Sequence, residues 1–391
     1  MRTFLRQVVR VLSSFGLSCT LLVLLGLLTW LGTLEQTSTG LFEVQKKYFE
    51  SFVLVHRAGP VPIPLPGANL VMSMLFVNLL VGGIVRLRRS PRTAGVLVAH
   101  LGIALLLAGG FVQWSSADEG HVTLYEGQRA SHFQSYYRWE IAISEPLGDG
   151  RVREHLAPQE LFEDALGARA VTLVSRELPF ALEVRHFARN CRPLPKGPPE
   201  RSIQGTATPV VGGLFLQAEA PLAEAEANIA GLYVTVVDER GGKREDGILW
   251  GAQARPMAVS VAGRDWAIDL RKERYPMSFA LALEEFTKED HPRLDMPRSF
   301  SSDVTVHEGA SARAVKISMN EPLRHAGLVL YQASWGPSTA RPGEPLFSTF
   351  AVVRNPADRI PLVACVVIAA GLIFHFSRKL AGYVRAEARR A

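Results

Sequence analysis

The sequence predicts an integral membrane protein of mixed α and β class, with four transmembrane helices and one large extracytoplasmic domain between the third and the fourth. Four long apolar runs contain no Asp, Glu, Lys or Arg: 11–34, 69–85, 94–114 and 360–376. A helix that crosses a bilayer core of about 30 Å needs roughly 17–25 such residues. The first and third runs exceed that length comfortably and the other two reach it, so we predict four spans at these positions.

The first run could be mistaken for a signal peptide, because Arg2, Arg6 and Arg10 precede it. Its apolar stretch is longer than the usual hydrophobic region of a signal peptide, and no small-x-small cleavage pattern closes it. Trp30 stands near its end, where an aromatic anchor at the membrane interface is common. We therefore predict that this run is retained as a transmembrane helix.

The basic residues around the spans predict their orientation. Three short segments, 1–10, 86–93 and 377–391, hold twelve of the 43 Lys and Arg residues, with Glu387 as their one acid. Basic flanks of this kind remain in the cytoplasm, so both termini are expected inside. The loop 35–68 and the long segment 115–359 are then extracytoplasmic. The net charge of +6 is thus a topology signal, and no nucleic-acid partner is predicted.

Within the loop 35–68, apolar residues recur at nearly helical spacing, which predicts an amphipathic helix on the outer membrane surface. The prolines of "PVPIPLPG" should end that helix before the chain re-enters the membrane. The apolar positions of the predicted helix are Leu41, Val44, Tyr48, Phe52 and Val55.

The outer segment 115–359 alternates apolar and polar residues in many short stretches, such as "HVTLYEG", "LYVTVVDE" and "SFALALEEF". Turn sequences such as "RGGKREDG" separate them, so we predict an antiparallel β-rich, sandwich-like domain. Cys191 is the one cysteine outside the predicted spans, and the sequence contains neither CxxC nor CxxCH. The chain is therefore predicted to be neither a thiol oxidoreductase nor a c-type cytochrome, and Cys191 is interpreted as an incidental thiol.

Two histidines fall inside the predicted spans. His100 lies in "GVLVAHLGIALLLAGGFVQW" and His375 in "GLIFHFSRKL". An ionisable side chain within a span is costly and usually faces a protein interior or a ligand. A neutral imidazole is a natural axial ligand of haem iron, and nearby arginines suit the haem propionates. From the residues alone, a helix–helix hydrogen bond of His100 and an interfacial position of His375 remain open as alternatives.

An ordered set of segments resembles the ResB family of cytochrome c maturation proteins, the smaller membrane component of the System II pathway. The set begins with "GLSCTLLVLLGLLTWLGTLEQ", "PGANLVMSMLFVNLLVGGIVRLRR" and "GVLVAHLGIALLLAGG". It continues in the outer domain with "YPMSFALALEEF", "PRSFSSDVTV", "VKISMNEPLRHAGLVLYQASWG" and "VVRNP". The order of three spans, a large outer domain and a final span is characteristic of that family.

The resemblance implies that the chain lies in a bacterial cytoplasmic membrane and helps haem b to cross it. His100 occupies the position of the family's haem-ligating histidine in the third span, whereas the resemblance adds nothing for His375. It further implies a CcsA-type membrane partner in trans, because this chain has six scattered Trp and no tryptophan-rich segment. Apocytochrome c with its CxxCH motif and thioredoxin-like thiol reductants complete the expected partners.

The implied reaction is thioether formation between the haem vinyl groups and the two thiols of the acceptor. No catalytic residue for that step is predicted in this chain, which is interpreted as a non-catalytic subunit of a haem lyase. The alternatives are a b-type electron-transfer subunit, which usually needs paired ligands for each haem, and a transmembrane sensor. A sensor would have to signal through the short tail after Ser377, which is too short for a folded domain.

Overall fold

The computed structural model describes residues 2–148, 150–196, 209–238, 242, 244–291, 297–339, 341 and 343–390. The chain divides into two compact units. The first, the helical unit, comprises Met1–Asp118 and Arg354–Ala391, and the second, the β unit, comprises Glu119–Val353. Each unit is organised around its own apolar contacts.

Four helices of the helical unit are long and apolar enough to cross a membrane, as predicted. The helices of this unit are α1 (Arg2–Leu12), α2 (Phe15–Thr39), α3 (Leu41–Val44), α4 (Ala68–Asn78), α5 (Ala94–Ser116) and α6 (Ile360–Glu387). A π-helical turn, Gln45–Phe49, follows α3, and a longer π-helical segment, Leu79–Val85, continues α4. The four apolar helices fit a multi-pass membrane protein.

The boundaries differ from the sequence prediction at three places. Helix α2 starts at Phe15 and ends at Thr39, whereas the predicted first span was 11–34. The residues before it form the separate helix α1, and α6 continues through most of the predicted tail to Glu387. Hydropathy marks the apolar run but not the hydrogen bonds that begin and end a helix, so these shifts were not visible in the sequence.

The break between α1 and α2 has a defined cause. Ser14 has extended backbone angles, and its Oγ accepts a hydrogen bond from the Leu17 N–H at 3.1 Å, which caps α2. The Asn78 amide nitrogen donates to the carbonyl oxygens of Leu12 and Ser14, at 2.8 and 3.1 Å. These contacts satisfy carbonyls that a break in a helix would otherwise leave without partners.

The predicted amphipathic helix of the outer loop is wrong in extent. Helical geometry ends at Phe49, and the chain then forms a β-hairpin of β1 (Val53–Ala58) and β2 (Val61–Pro66). The prolines that were expected only to end a helix lie in β2, which pairs with β1 alone and therefore tolerates missing donors. Tyr48, expected on the membrane face, is fully buried.

The β unit is built from sixteen described strands in antiparallel pairs, which agrees with the β-rich prediction. The strands are β3 (Asp118–Tyr125), β4 (Arg129–Pro146), β5 (Val152–Pro158), β6 (Val171–Leu173), β7 (Phe180–Ala188), β8 (Cys191–Pro195), β9 (Leu214–Ala218), β10 (Gly231–Asp238), β11 (Arg244–Trp250), β12 (Met257–Val261), β13 (Arg264–Asp290), β14 (Pro297–Glu308), β15 (Ser311–Ser318), β16 (Leu323–His325), β17 (Leu328–Gly336) and β18 (Phe347–Arg354).

The strands form three sheets. A ten-stranded sheet has the order β15-β14-β13-β4-β3-β18-β17-β16, with β12 paired to β13 and β5 paired to β4. A four-stranded sheet has the order β11-β10-β7-β6, and β8 pairs with β9. The first apolar core lies between the four-stranded sheet and strands β4, β5, β12 and β13. It is the sandwich-like part of the unit.

A second apolar core is formed by strands of the ten-stranded sheet alone. The sheet curves so that β15, at one edge, contacts β16 and β17 at the other. Strand β13 contributes to both cores, with even-numbered Trp266 and Ile268 in the first and odd-numbered Phe279 and Leu281 in the second. The pairing of β13 with β4 shifts register twice, between Lys272 and Arg274 and between Pro276 and Leu281, and such irregularities change which side chains face a core.

Cys191 lies at the start of β8 in a small apolar cluster with Leu216 and Tyr233. Burial, together with the nearby Glu219 carboxylate, raises the pKa of the Cys191 thiol to about 12. Because the thiolate is the reactive form, a thiol with so high a pKa stays protonated and inert at neutral pH. The geometry thus supports the interpretation of Cys191 as an incidental thiol.

A Cys191→Ala variant is therefore expected to support cytochrome c maturation at the wild-type level. In the folded chain with Cys19 and Cys365 replaced by Ala, iodoacetamide should fail to label Cys191 at pH 8 and label it readily after denaturation. Mass spectrometry of the Cys191 peptide measures this protection. Loss of maturation at normal abundance, or rapid labelling of the folded chain, would contradict an inert thiol.

Candidate functional site

His100 occupies the third apolar helix, α5, and is half-buried within the helical unit. Its Nδ1 atom lies 2.8 Å from the carbonyl oxygen of Gly83, in the π-helical segment that continues α4. A carbonyl oxygen accepts hydrogen bonds and never donates them, so the proton of the neutral imidazole must be on Nδ1. The lone pair is therefore on Nε2.

The Gly83 carbonyl is available for this bond because the helix ends two residues later. The last carbonyls of any helix lack a partner from the next turn, and the closing bond of this segment runs from the Arg86 N–H to Val81. His100 thus satisfies a carbonyl at the negative end of a helix dipole, which favours a donor there. This contact is the helix–helix hydrogen bond that remained an alternative from the sequence. It uses only one of the two ring nitrogens of His100.

The Nε2 atom of His100 accepts no hydrogen bond within the described part of the chain, and it is not among the enclosed polar atoms that lack a partner. It is therefore not fully enclosed by the helical unit. A ring with Nδ1 held by a carbonyl and Nε2 without a hydrogen-bond partner has the arrangement common to metal-binding histidines, in which a second partner fixes the tautomer and orients the ring.

Gly83 also makes room for the imidazole. A Cβ atom at this position would lie 2.8 Å from His100 Nδ1 and 2.9 Å from a Leu79 methyl group. Real Cβ atoms do not approach other atoms so closely, so any side chain here would displace the ring. The sequence gives Gly83 no visible role, because a contact between two helices is not visible in the sequence of either one.

Helix α5 packs against α6 through a row of small residues. A Cβ added to Gly95 would lie 2.6 Å from the Gly371 carbonyl oxygen, and one added to Gly102 would lie 3.0 Å from the Ala364 carbonyl. Small residues at about helical spacing allow two backbones to approach closely in membrane helices. This packing fixes α5, and with it the position of His100, relative to α6.

His375 lies on α6 beside that row, at the level of Gly95: an added Gly95 Cβ would lie 2.7 Å from the His375 backbone nitrogen. His100 is five residues further along α5, about 7.5 Å along the axis and about 140° around it. The structure therefore does not bring the two imidazoles together. The His375 Nδ1 atom is buried without a hydrogen-bond partner, so this ring lacks the orienting contact that His100 has.

Among the described residues, no group of three or more His, Cys, Asp or Glu side chains could hold a metal ion. Residues 257–344, from β12 to the segment before β18, match the ResB-like family. The resemblance to the ResB family is confirmed. The matched segment contains three of the four outer-domain stretches that carried the resemblance in the sequence, whereas "VVRNP" lies beyond it.

A curated relative, the cytochrome c biogenesis protein CcsB of Synechococcus sp. (strain RCC307), is 40% identical over 58 residues. The aligned segment covers 14% of this chain and 13% of that protein. The chain therefore matches only a small part of the length of its curated relative. These comparisons do not test haem binding by His100 or His375, so both roles remain predictions.

Proposed function

We propose that the chain is a membrane component of cytochrome c biogenesis that binds haem through His100 during its passage across the membrane. The observation that carries the proposal is the imidazole of His100, with Nδ1 held by Gly83 and Nε2 without a hydrogen-bond partner among the described residues. Its support is the ResB-like match of residues 257–344 and the similarity of a short segment to the cytochrome c biogenesis protein CcsB of Synechococcus.

In this proposal His100 holds the haem iron through Nε2, and the iron supplies the bond that retains the cargo. The Gly83 carbonyl keeps the proton on Nδ1 and makes Nε2 a stronger donor to a metal. Arg88 and Arg89, exposed in the short segment between the two helices, offer charged partners for the haem propionates. The chain thus binds and orients haem, and no group in it needs to perform covalent chemistry.

The covalent step belongs to a complex. We propose a CcsA-type membrane protein as the partner that completes the haem path, and apocytochrome c as the acceptor whose two cysteine thiols add to the haem vinyl groups. Thioredoxin-like reductants would keep those thiols reduced. The β unit, placed outside the cytoplasm in this proposal, would position the acceptor or the partner.

The orientation can be tested directly. Reporter fusions after Gly120 and Gly343 should both report an extracytoplasmic location, and a fusion after Arg92 a cytoplasmic one, because the basic flanks favour the cytoplasmic side. Paired alkaline phosphatase and green fluorescent protein fusions provide the measurement. A cytoplasmic signal from Gly343 would mean that the number of spans is wrong.

The haem-handling role is tested by copurification. The full chain, expressed with a CcsA-type partner, should retain haem with a Soret band, and cells lacking it should accumulate apocytochrome c. A redox titration of the complex separates the proposal from a b-type electron-transfer subunit. A stable reversible couple with His100 and His375 as paired ligands of one haem would contradict the proposal, since these two rings lie apart on α5 and α6.

A further inference from the structure

A second histidine of the helical unit is held in the same way as His100. In the outer loop, three side chains from α2, the π-helical turn and β1 meet in a row. The Tyr48 hydroxyl lies 2.6 Å from Glu35 Oε2 and 2.6 Å from His56 Nδ1. Lys47 completes the row, with its Nζ 2.7 Å from Glu35 Oε1.

The protons in this row can be assigned. The Lys47 ammonium keeps Glu35 ionised, so both carboxylate oxygens accept and neither donates. The single hydroxyl proton of Tyr48 must therefore lie between the phenol and Glu35, since two bare oxygens would otherwise be 2.6 Å apart. The phenol oxygen then accepts from His56, so the proton of the neutral ring is on Nδ1 and the lone pair on Nε2.

The burial of Tyr48 makes this assignment stable. Its side chain is fully buried, and desolvation together with the Glu35 carboxylate raises the pKa of Tyr48 well above its usual range. The phenol thus stays protonated across the physiological pH range. A buried tyrosine needs only one acceptor, which Glu35 already supplies, so the contact with His56 is not required to satisfy it.

The Nε2 atom of His56 is unpartnered and is not fully enclosed. It has no hydrogen-bond partner in the described residues and is not among the enclosed polar atoms that lack one. On the hairpin, His56 lies directly opposite Ile63, a partly exposed apolar side chain. Leu54, two residues away on the same face of β1, is buried in the core of the helical unit. An oriented lone pair beside apolar surface suits the iron of a planar, largely apolar ligand.

We propose that His56 is a second haem-iron ligand, positioned by the Glu35–Tyr48 pair and distinct from His100. This inference rests on the proposed function, in which haem is the cargo. His56 is in the outer loop and His100 in α5, so the chain would present one imidazole for uptake in the membrane and another for release at its outer surface. Two weak monohistidine sites would allow haem to be passed on, because neither iron bond is reinforced by a second protein ligand.

Haemin titration of the purified full-length chain in detergent tests the inference. The haemin retained after gel filtration is counted by its pyridine haemochrome. The wild type should retain two haemins per chain, His56→Ala and His100→Ala one each, and the double variant none. His291→Ala, which removes an exposed histidine at the end of β13, is the matched control and should retain two.

A further variant tests the positioning by Tyr48. In the His100→Ala background only the His56 site remains, and Tyr48→Phe there should weaken haemin binding about tenfold, as loss of an orienting partner typically does. Added imidazole should restore binding to His56→Ala, which shows that the variant is folded. The readouts are the Soret titration and the spin state of the iron, not maturation activity.

The failures are distinguishable. One haemin per wild-type chain, lost in His100→Ala and unchanged in His56→Ala, would overturn the role of His56 and leave the proposed function intact. Loss in His56→Ala with no change in His100→Ala would retain the outer site and refute the role of His100. A wild-type chain that binds no haemin would overturn both.

Discussion

A chain carrying His100→Ala is expected to lose the haem held at α5, to keep at most the one haem of the His56 site, and to stop cytochrome c maturation, while still inserting at normal abundance. In the proposed site the imidazole provides the iron bond, and His375 should not replace it, because His375 lies on α6 beside Gly95. Removal of the ring also leaves the Gly83 carbonyl without its donor. That carbonyl is at a helix end, so the cost in stability should be about 1 kcal/mol.

Three further variants make the result specific. Imidazole in the medium should partly restore haem to His100→Ala, because a small ligand fits the vacated space. His375→Ala is the matched control, with the same substitution in another apolar helix, and should retain most of its haem. Gly83→Val should reduce haem even though His100 is present, because a side chain at that position displaces the ring.

The measurements are the Soret absorbance of the purified complex, the amount of chain in membranes, and covalent haem in the acceptor cytochrome. Full haem content in His100→Ala at normal abundance would show that His100 is a structural histidine. An equal loss in His375→Ala would mean that both rings act on one haem, in contrast to their separate positions on α5 and α6.

The sequence predicted the four apolar helices because a bilayer imposes one requirement that is visible residue by residue, a long run without charge. The outer loop shows why the rest was harder. Helical spacing predicted that Tyr48 faces the membrane. Its side chain is instead buried and hydrogen-bonded with Glu35 and His56, which belong to other elements. Such contacts between distant positions have no local signal.

The candidate site also has one residue that the sequence predicts and partners that it does not. His100 could be predicted because an ionisable group inside an apolar run is costly and needs a reason. Its partner Gly83 could not, because the carbonyl becomes available only where the π-helical segment ends, and that end depends on backbone geometry. His56 was not predicted as a ligand either, since a histidine in a loop is common. Its proposed role depends on its contact with Tyr48 and on the contact of Tyr48 with Glu35.

The β unit should be destabilised by about 3 kcal/mol when Arg271 is replaced by Met. The Arg271 guanidinium connects β13 to two neighbouring strands: Nε lies 2.8 Å from Glu140, and both terminal nitrogens lie 2.7 Å from the Glu154 carboxylate. Glu140 is only 2% exposed, so the variant leaves a buried carboxylate without its cation, which typically costs 3–5 kcal/mol. For a unit of this size the melting temperature should fall by roughly 6–12 °C.

Arg192→Met is the matched control, because Arg192 pairs with Glu219 at the surface, where both side chains are more than one-third exposed. An exposed pair contributes at most about 1 kcal/mol, so this variant should melt within about 4 °C of the wild type. Thermal unfolding of the full chain in detergent, followed by circular dichroism in the β region, provides the comparison. Equal shifts for the two variants would refute a special role of the buried pair.

The pH dependence gives an independent check on the same group. The hydrogen bonds from Arg271 lower the pKa of Glu154 below its ordinary value, with burial opposing them. A carboxylate with a lowered pKa stabilises the folded state above its ordinary pKa and loses that contribution as the pH falls through the lowered one. The difference in unfolding free energy between wild type and Arg271→Met should therefore be constant from pH 6 to 8 and shrink below about pH 4.

A second change, Glu140→Met, made in the Arg271→Met variant, should recover much of the lost stability at neutral pH, because apolar side chains then replace the buried charges.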